Sequence, residues 1–221
     1  MNPRLVRCLV LLTLLLVAPL GASLAAPSGA TSPFPMRLAP GVKPTQFTLP
    51  KISEAGCIIA RVEAWTGKTS LTLTIRGGRQ SSQPATANQG PLWVSYPVSA
   101  NQTSQSWVVE ALRGSGGDTL SGTLFVEYPP TQVPCQLAAK VNGRNVTMTW
   151  TYNGQPGSFL VERSSDRKAW TNVCTQKSSV SASCSETLSK GGTYWYRACW
   201  VKSGSGCASS NVTPPLRATV R

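Results

Sequence analysis

Two facts dominate the chemistry open to this chain: it has seven cysteines and no histidine. Without histidine, the Ser-His and Cys-His pairs that activate a nucleophile cannot form. The few acidic residues are scattered singly, whereas glycoside hydrolysis needs two carboxyl groups that converge across the sugar. No Cys-x-x-Cys pair is present, so the spacing of a zinc site is missing. We therefore predict that the protein is not an enzyme and that it needs no cofactor or metal.

Residues 1–25 are typical of a secretory signal peptide. Arg4 and Arg7 precede an apolar run over residues 9–17, and small residues around Ala25 fit a cleavage site. The run is too short to span a bilayer comfortably as a mature helix. We expect a secreted or extracytoplasmic protein, in the periplasm or at the cell surface, with no transmembrane segment in the mature chain.

Cleavage after Ala25 would remove Cys8 and leave six cysteines. An even number of cysteines in an exported chain is typical of a disulfide framework. The pattern therefore predicts disulfide bonds among Cys57, Cys135, Cys174, Cys184, Cys199 and Cys207.

The rest of the chain divides by composition into a linker and two compact regions. Residues 26–49 are rich in Pro, Gly, Ala, Ser and Thr, which is typical of an extended, largely disordered linker. Residues 50–129 and 135–221 are each long enough for one modest core. Three prolines between positions 129 and 134 separate them, because proline interrupts a β-ladder.

Both regions alternate apolar and polar residues with the period of β-strands, and no stretch has helical spacing. In the first region Leu71, Leu73 and Ile75 oppose threonines and an arginine. Strands with one solvent-exposed face and one apolar face are typical of antiparallel sheets that pack face to face. We therefore predict an all-β protein of two consecutive antiparallel β-sandwiches.

The first region, residues 50–129, resembles the jelly-roll β-sandwiches of the prepeptidase C-terminal type that bacterial secreted enzymes carry beside their catalytic domains. The matching segments are residues 56–60, 65–67, 71–73, 106–109 and 122–126. Some members of that family bind calcium through clustered acids. The acids here are scattered, so no calcium site is expected.

The second region, residues 135–221, closely resembles a bacterial fibronectin type III domain. Its matching residues are the tryptophan of the second strand (Trp150), inward residues of the third (Phe159, Val161) and inward residues of the sixth (Tyr194, Tyr196, Ala198). An immunoglobulin domain is the competing interpretation. It would place cysteines in the second and sixth strands, but the second strand here has none.

If Tyr194 and Tyr196 point inward, their neighbours Trp195 and Arg197 point outward. Leu160 on the adjacent strand is expected to point outward too, which predicts a small exposed patch of Leu160, Trp195 and Arg197. We expect Trp195 to be exposed or to lie at an interdomain contact, outside the core of the second sandwich.

Positive charge is concentrated in the second region. The whole chain has a formal net charge of +13, and residues 135–221 contribute +8 from eleven basic and three acidic side chains. Such a surplus favours weak, salt-dependent association with polyanions, without specific nucleic-acid recognition. Solubility alone is the alternative interpretation. The candidate contacts are Arg163, Arg167, Lys168, Lys177, Lys190 and Lys202.

The strand order of the fibronectin type III resemblance suggests how the cysteines pair. Cys199 ends the sixth strand and Cys207 begins the seventh, across a glycine-containing hairpin, so these two are paired. Cys174 and Cys184 flank a serine-rich loop between the fourth and fifth strands and are paired likewise. Cys57 and Cys135 then remain, and their bond would connect the two sandwiches.

The sequence therefore favours a non-enzymatic, secreted or cell-envelope binding or adhesion module with a basic C-terminal domain. Its expected partner is a protein, a glycan or a polyanionic cell-surface polymer. Two alternatives stay open: a carbohydrate-binding protein that uses exposed tryptophan, and a structural spacer of an envelope assembly without a ligand of its own.

Overall fold

The computed structural model describes residues 30–41, 43–129, 133–152, 157–178, 181–201, 207 and 212–221. The expected signal peptide, residues 1–25, lies outside them. Among the described residues the protein is all-β, with seventeen strands and one short 3-10 turn at Ala100–Gln102. No helix in this part of the chain is long and apolar enough to cross a bilayer.

The N-terminal sandwich, which we define as residues 30–129, consists of two five-stranded sheets. The strands are β1 (Ala30–Leu38), β2 (Thr45–Thr48), β3 (Gly56–Val62), β4 (Trp65–Thr66), β5 (Leu71–Gly77), β6 (Gln80–Ser81), β7 (Ala85–Ala87), β8 (Leu92–Val98), β9 (Trp107–Arg113) and β10 (Leu120–Tyr128). One sheet has the order β1-β10-β3-β8 with β4 beside β10, and the other has the order β2-β9-β5-β6 with β7 beside β5.

The core of this sandwich lies between its two sheets and follows the alternation of the sequence. Leu71, Leu73 and Ile75 of β5 are fully buried, while Arg76 next to them is exposed. Trp107 begins β9 and is 1% exposed. Period-two patterning therefore sets which side of each strand is buried.

The linker prediction for residues 26–49 is wrong for much of that segment. β1 pairs antiparallel with β10 from Ala30 to Leu38, and β2 pairs with β9. Both are edge strands, and Met36 and Leu38 of β1 are buried in the core. The prolines of β1, which suggested a linker, are tolerated because an edge strand leaves half of its N–H groups unpaired.

The C-terminal sandwich spans residues 133–221. Its strands among the described residues are β11 (Cys135–Asn142), β12 (Asn145–Thr151), β13 (Gly157–Ser164), β14 (Thr171–Ser178), β15 (Ser181–Thr187), β16 (Gly192–Val201) and β17 (Leu216–Val220). They form a three-stranded sheet in the order β11-β12-β15 and a four-stranded sheet in the order β14-β13-β16-β17.

Aromatic side chains fill the core of the C-terminal sandwich. Trp150 lies on its second strand, Phe159 on its third and Tyr196 on its sixth, and all three are buried. The Trp150 and Phe159 rings are 5.9 Å apart between centroids, and the Tyr152 ring packs edge-on to Phe159 at 4.9 Å. Such tilted aromatic pairs contribute beyond their buried area.

Three disulfides connect the cysteines in the pairs that the sequence predicted: Cys57–Cys135, Cys174–Cys184 and Cys199–Cys207. Cys174 is on β14 and Cys184 on β15, so this bond joins the two sheets of the C-terminal sandwich at one edge. Three disulfides are typical of a chain that folds in an oxidising compartment.

The Cys57–Cys135 bond connects the two sandwiches. It is buried with Ile59 and Val133 in a small apolar cluster of its own. Beside it, the Gln136 backbone N–H donates to the Ser95 hydroxyl of β8 at 3.0 Å. The start of β11 is thereby attached to the outer face of β3 and β8.

Candidate functional site: a cleft between the two sandwiches

The outer face of β3, β8 and β10 forms one wall of a cleft. Arg61 of β3 lies opposite Trp93 of β8 in the strand register, and Ile59 lies opposite Glu127 of β10. Residues paired in this way project from the same side of a sheet. The core of the N-terminal sandwich is on the other side of this sheet, so the outer face can contact the C-terminal sandwich.

The C-terminal sandwich supplies the facing wall, with Trp195 from β16, Arg167 from the turn between β13 and β14, and residues 212–215 before β17. The cleft between these walls has a volume of about 160 Å³. The side chains that we assign to this cleft are Arg61, Glu63, Trp93 and Glu127 on the first wall, and Arg167 and Trp195 on the second.

The first wall holds one guanidinium between two carboxylates. Arg61 lies 2.8 Å from Glu63 and 3.5 Å from Glu127, and it stacks over the Phe125 ring at 5.5 Å. Burial raises the pKa of the Glu127 carboxyl above its ordinary value, and the charge of Arg61 offsets part of this effect. The first wall therefore carries more carboxylate than guanidinium.

On the second wall, the Arg167 guanidinium lies 4.8 Å from the centroid of the Trp195 ring, within cation–π range. Arg167 has φ of +64°, in the left-handed region that non-glycine residues rarely adopt. The preceding Asp166 holds this turn, because its carboxylate accepts the backbone N–H groups of Lys168 and Ala169 and the Ser164 hydroxyl. These hydrogen bonds, led by that of Lys168, lower the pKa of Asp166.

The predicted patch of Leu160, Trp195 and Arg197 exists only in part. Leu160 is 2% exposed, so its predicted exposure is wrong. The Cys199–Cys207 bond covers it, since Cys199 is its neighbour across the strands and the Cys207 sulfur is 4.0 Å from the Leu160 carbonyl oxygen. Trp195 is half-buried, lies outside the core of its sandwich and lines the cleft.

Arg197 does point away from the core, but other side chains already engage it. Its guanidinium lies 2.6 Å from the Glu162 carboxylate and 4.1 Å from the centroid of the Trp170 ring. Glu162 is 6% exposed, so this pair is largely shielded from water. Arg197 therefore acts mainly in the structure of the outer face.

Arg163 is only partly exposed and is also engaged by other side chains. It lies 2.6 Å from Glu186 on the opposite sheet and packs against the Tyr194 ring at 5.6 Å. Its contact with a polyanion stays a prediction. Lys168, by contrast, is exposed on the turn beside Arg167. The Lys177 side chain and Lys202 lie outside the described residues.

Sequence reasoning missed the first wall of the cleft. Arg61 of β3 and Glu63 just beyond its end alternate with buried Ala60 and Val62, and Trp93 alternates with buried Leu92 and Val94 on β8. What the sequence did not contain was the placement of Trp195 opposite them. Sequence patterning reports which side of one strand is wet, but it does not report what another domain places against that side.

Comparison with known proteins adds little at this site. No protein-family model matches the sequence, and no curated protein matches it. Among solved structures, a β-1,2-glucanase from Parabacteroides distasonis aligns at 15% identity and a TM-score of 0.30, over 86% of this chain and 30% of its own. A β-glucuronidase from Bifidobacterium dentium aligns at 10% identity and a TM-score of 0.35, over 80% of this chain and 39% of its own.

The chain thus spans between 30% and 39% of the length of those two enzymes. Likenesses this distant carry no argument about activity. Within the described residues no group of three or more acidic or cysteine side chains is arranged to hold a metal ion.

Proposed function

We propose that this protein is a non-enzymatic binding or adhesion module of the cell envelope or the secreted fraction. Its C-terminal sandwich would associate with a polyanionic surface polymer. The observation that carries the proposal is the way in which the three acids of that sandwich are engaged. Glu162 pairs with Arg197, Glu186 pairs with Arg163, and Asp166 accepts hydrogen bonds within its own turn.

The other described cations of this sandwich are exposed, and none forms an ion pair with an acid among the described residues. A positive surface without its own counter-charges attracts polyanions at low ionic strength and is screened as salt rises. The exposed cations are Lys140, Arg144, Arg167, Lys168, Lys190, Arg217 and Arg221.

The fold supports the fibronectin type III resemblance of residues 135–221 as part of this proposal. In the described part of this region, seven strands lie in two sheets around Trp150. In an immunoglobulin domain the disulfide between sheets joins the second and sixth strands. Here the bond between sheets joins the fourth and fifth strands, through Cys174 and Cys184. This arrangement favours the fibronectin type III resemblance over an immunoglobulin domain.

The test is salt-dependent retention of the full chain on immobilised heparin, with two double variants of equal charge change. Lys168→Glu with Lys190→Glu reverses two cations of the C-terminal sandwich. Lys51→Glu with Lys68→Glu reverses two exposed lysines of the N-terminal sandwich and is the matched control. At about 1 kcal/mol for each basic side chain near an anionic surface, the first pair should weaken binding at least about tenfold.

The proposal is contradicted if the wild-type chain is not retained at low salt, or if both pairs lower the elution salt equally. The first result would favour the spacer alternative. The second would mean that net charge alone controls retention. If the heparin test supports the proposal, a pull-down from the native envelope with the wild-type chain and the first double variant would identify the polymer.

A further inference from the structure

The cleft brings together side chains that binding to a polyanion does not require. Trp93 and Trp195 come from different sandwiches and present flat apolar rings. Arg167 supplies hydrogen-bond donors, while Glu63 and Glu127 supply acceptors. A small pocket that is part apolar, with a few convergent polar groups at a domain interface, is the usual form of a small-ligand site.

The size of the cleft limits the ligand. The volume of the cleft is about 160 Å³. That is enough for one six-membered ring with its substituents. It is too small for a folded partner or for several residues of a polymer, so a longer molecule would place only one unit in the cleft.

The charges of the cleft argue against a strongly ionic ligand. An anion would face the surplus carboxylate of the first wall, where Glu63 and Glu127 share Arg61. A cation would face Arg167, which has no carboxylate partner among the described residues. A hydroxyl group both donates and accepts, so a neutral polyhydroxylated ring can satisfy both walls without burying a charge.

The walls are also held in place before any ligand arrives. The Cys57–Cys135 bond and the Gln136–Ser95 hydrogen bond fix the start of the C-terminal sandwich on the outer face of the first. The Asp166 turn and the Trp195 ring restrict the Arg167 side chain. Preorganisation of this kind reduces the entropy that a small ligand must overcome on binding.

We infer that the cleft between the two sandwiches binds one neutral pyranose unit of a glycan. The hydroxyls of the ring donate to Glu63 and Glu127 and accept from Arg167, and its C–H face packs on the Trp93 indole. This site goes beyond the proposed polyanion contact. The two share Arg167, but the cleft does not depend on the other exposed cations. The two differ in salt dependence, because a neutral ligand is not displaced by ions.

The experiment is isothermal titration calorimetry of the full chain with methyl glycosides of neutral hexoses and N-acetylhexosamines. Each titration is made at about 50 mM and about 500 mM NaCl, which brackets the range over which surface charges become screened. We expect saturable one-to-one binding of at least one glycoside, unchanged between the two salt concentrations. Arg167→Ala should weaken it about tenfold, because a hydrogen bond to a charged group is lost.

Lys168→Ala is the matched control, because this residue is exposed on the same turn but does not line the cleft. It should bind the glycoside as the wild type does. Trp93→Ala should also weaken binding, and Trp93→Phe should recover part of it because an aromatic face is restored. The near-ultraviolet circular dichroism of each variant reports whether the fold is retained.

The inference is overturned if no neutral glycoside binds saturably, if Arg167→Ala binds like the wild type, or if binding falls steeply with salt. It is also overturned if the matching uronic acid binds at least tenfold more tightly. If the wild-type chain binds a glycoside but is not retained on heparin, only the polyanion proposal is contradicted. If it is retained on heparin but binds no glycoside, only the cleft inference is contradicted.

Discussion

The Arg163 guanidinium of β13 lies 2.6 Å from the Glu186 carboxylate of β15, and these strands belong to opposite sheets of the C-terminal sandwich. The other oxygen of the same carboxylate accepts the Tyr196 hydroxyl at 2.6 Å. One partly shielded acid thus connects the third, fifth and sixth strands at one end of the core.

Glu186→Gln should therefore destabilise the C-terminal sandwich. The change removes the counter-charge of Arg163 and weakens the acceptor of Tyr196, and loss of such a partner costs about 1–3 kcal/mol. Glu54→Gln, an exposed carboxylate of the N-terminal sandwich, is the control and should change stability by less than about 0.5 kcal/mol. Denaturant unfolding of both variants measures the difference, and equal stability would contradict the role of Glu186.

Tyr196 predicts a loss of stability at alkaline pH. Burial, followed by the Glu186 hydrogen bond, raises the pKa of its hydroxyl above the ordinary value of 10.0. Below pH 10 the group is protonated in both the folded and the unfolded chain, so its contribution is fully present. Above pH 10 the unfolded chain loses this proton first, and the free energy of unfolding falls.

Tyr196→Phe should therefore flatten the decline of stability between about pH 9 and pH 11, the interval around the ordinary tyrosine pKa. The variant will be less stable than the wild type at neutral pH because Glu186 loses a donor. Thermal unfolding of both proteins across this interval measures the slopes. Identical slopes would show that Tyr196 does not cause the alkaline loss.

The raised pKa of Glu127, on the first cleft wall, predicts how the stability of the protein depends on acid pH. This raised pKa means that the folded chain holds the proton more tightly than the unfolded chain. The stabilising contribution is fully present below the ordinary pKa of 4.5 and is lost as pH rises through the folded value. Glu127→Gln should therefore be slightly more stable than the wild type at pH 7, by less than about 1 kcal/mol because the site is partly exposed.

That advantage should disappear below the ordinary pKa, where the wild-type carboxyl is itself neutral. Chemical denaturation at neutral and acid pH gives the comparison. A variant that is less stable than the wild type at pH 7 would mean that the attraction to Arg61 outweighs desolvation.

The close packing at Gly77, beside the core of the N-terminal sandwich, predicts that only glycine fits at this position. A Cβ at this position would lie 2.5 Å from the ring of buried Trp107. Gly77→Ala should destabilise the sandwich by about 1–3 kcal/mol, because a tightly packed core accommodates an added methyl group only by moving the ring. Gly117→Ala is the control, since nothing lies within 4 Å of a Cβ there. If both variants unfold alike, the ring moves freely.

The Cys57–Cys135 bond predicts that the two sandwiches separate without unfolding when it is removed. Each has its own buried core, so Cys57→Ser with Cys135→Ser should preserve both folds. Small-angle X-ray scattering should then show a larger radius of gyration. Cys199→Ser with Cys207→Ser opens a loop of sequence separation 8 within one sandwich and should leave it unchanged. A constant radius in the first variant would mean that contacts other than the disulfide hold the interface.

Local pattern was enough to predict the all-β class and much of the interior. Burial on a strand repeats every two residues, so Leu71, Leu73 and Ile75 identify a core face without knowledge of the neighbouring strands. Trp150 and Tyr196 are buried for the same reason. The Cys199–Cys207 pair could be predicted because its two sulfurs are close in sequence.

Residues 30–48 show where local pattern failed. Their prolines and small residues indicate a linker, yet Met36 and Leu38 complete the core because β10, more than eighty residues away in sequence, offers a free edge. Pairing with a distant strand supplies hydrogen bonds that no local pattern reports. The same reason hides the burial of Leu160, which depends on the disulfide that covers it.

By itself, then, the sequence determined the all-β class, the wet and dry faces of the main strands, the excess positive charge and the supply of cysteines, because these depend on residue type and short-range periodicity. Only the tertiary structure decided which solvent-exposed strand faces of the two sandwiches lie opposite each other. Arg61 and Trp93 lie opposite Arg167 and Trp195 only because the start of β11 is attached to β3 and β8. A site assembled from two domains depends on their relative placement, and contacts remote in sequence set that placement.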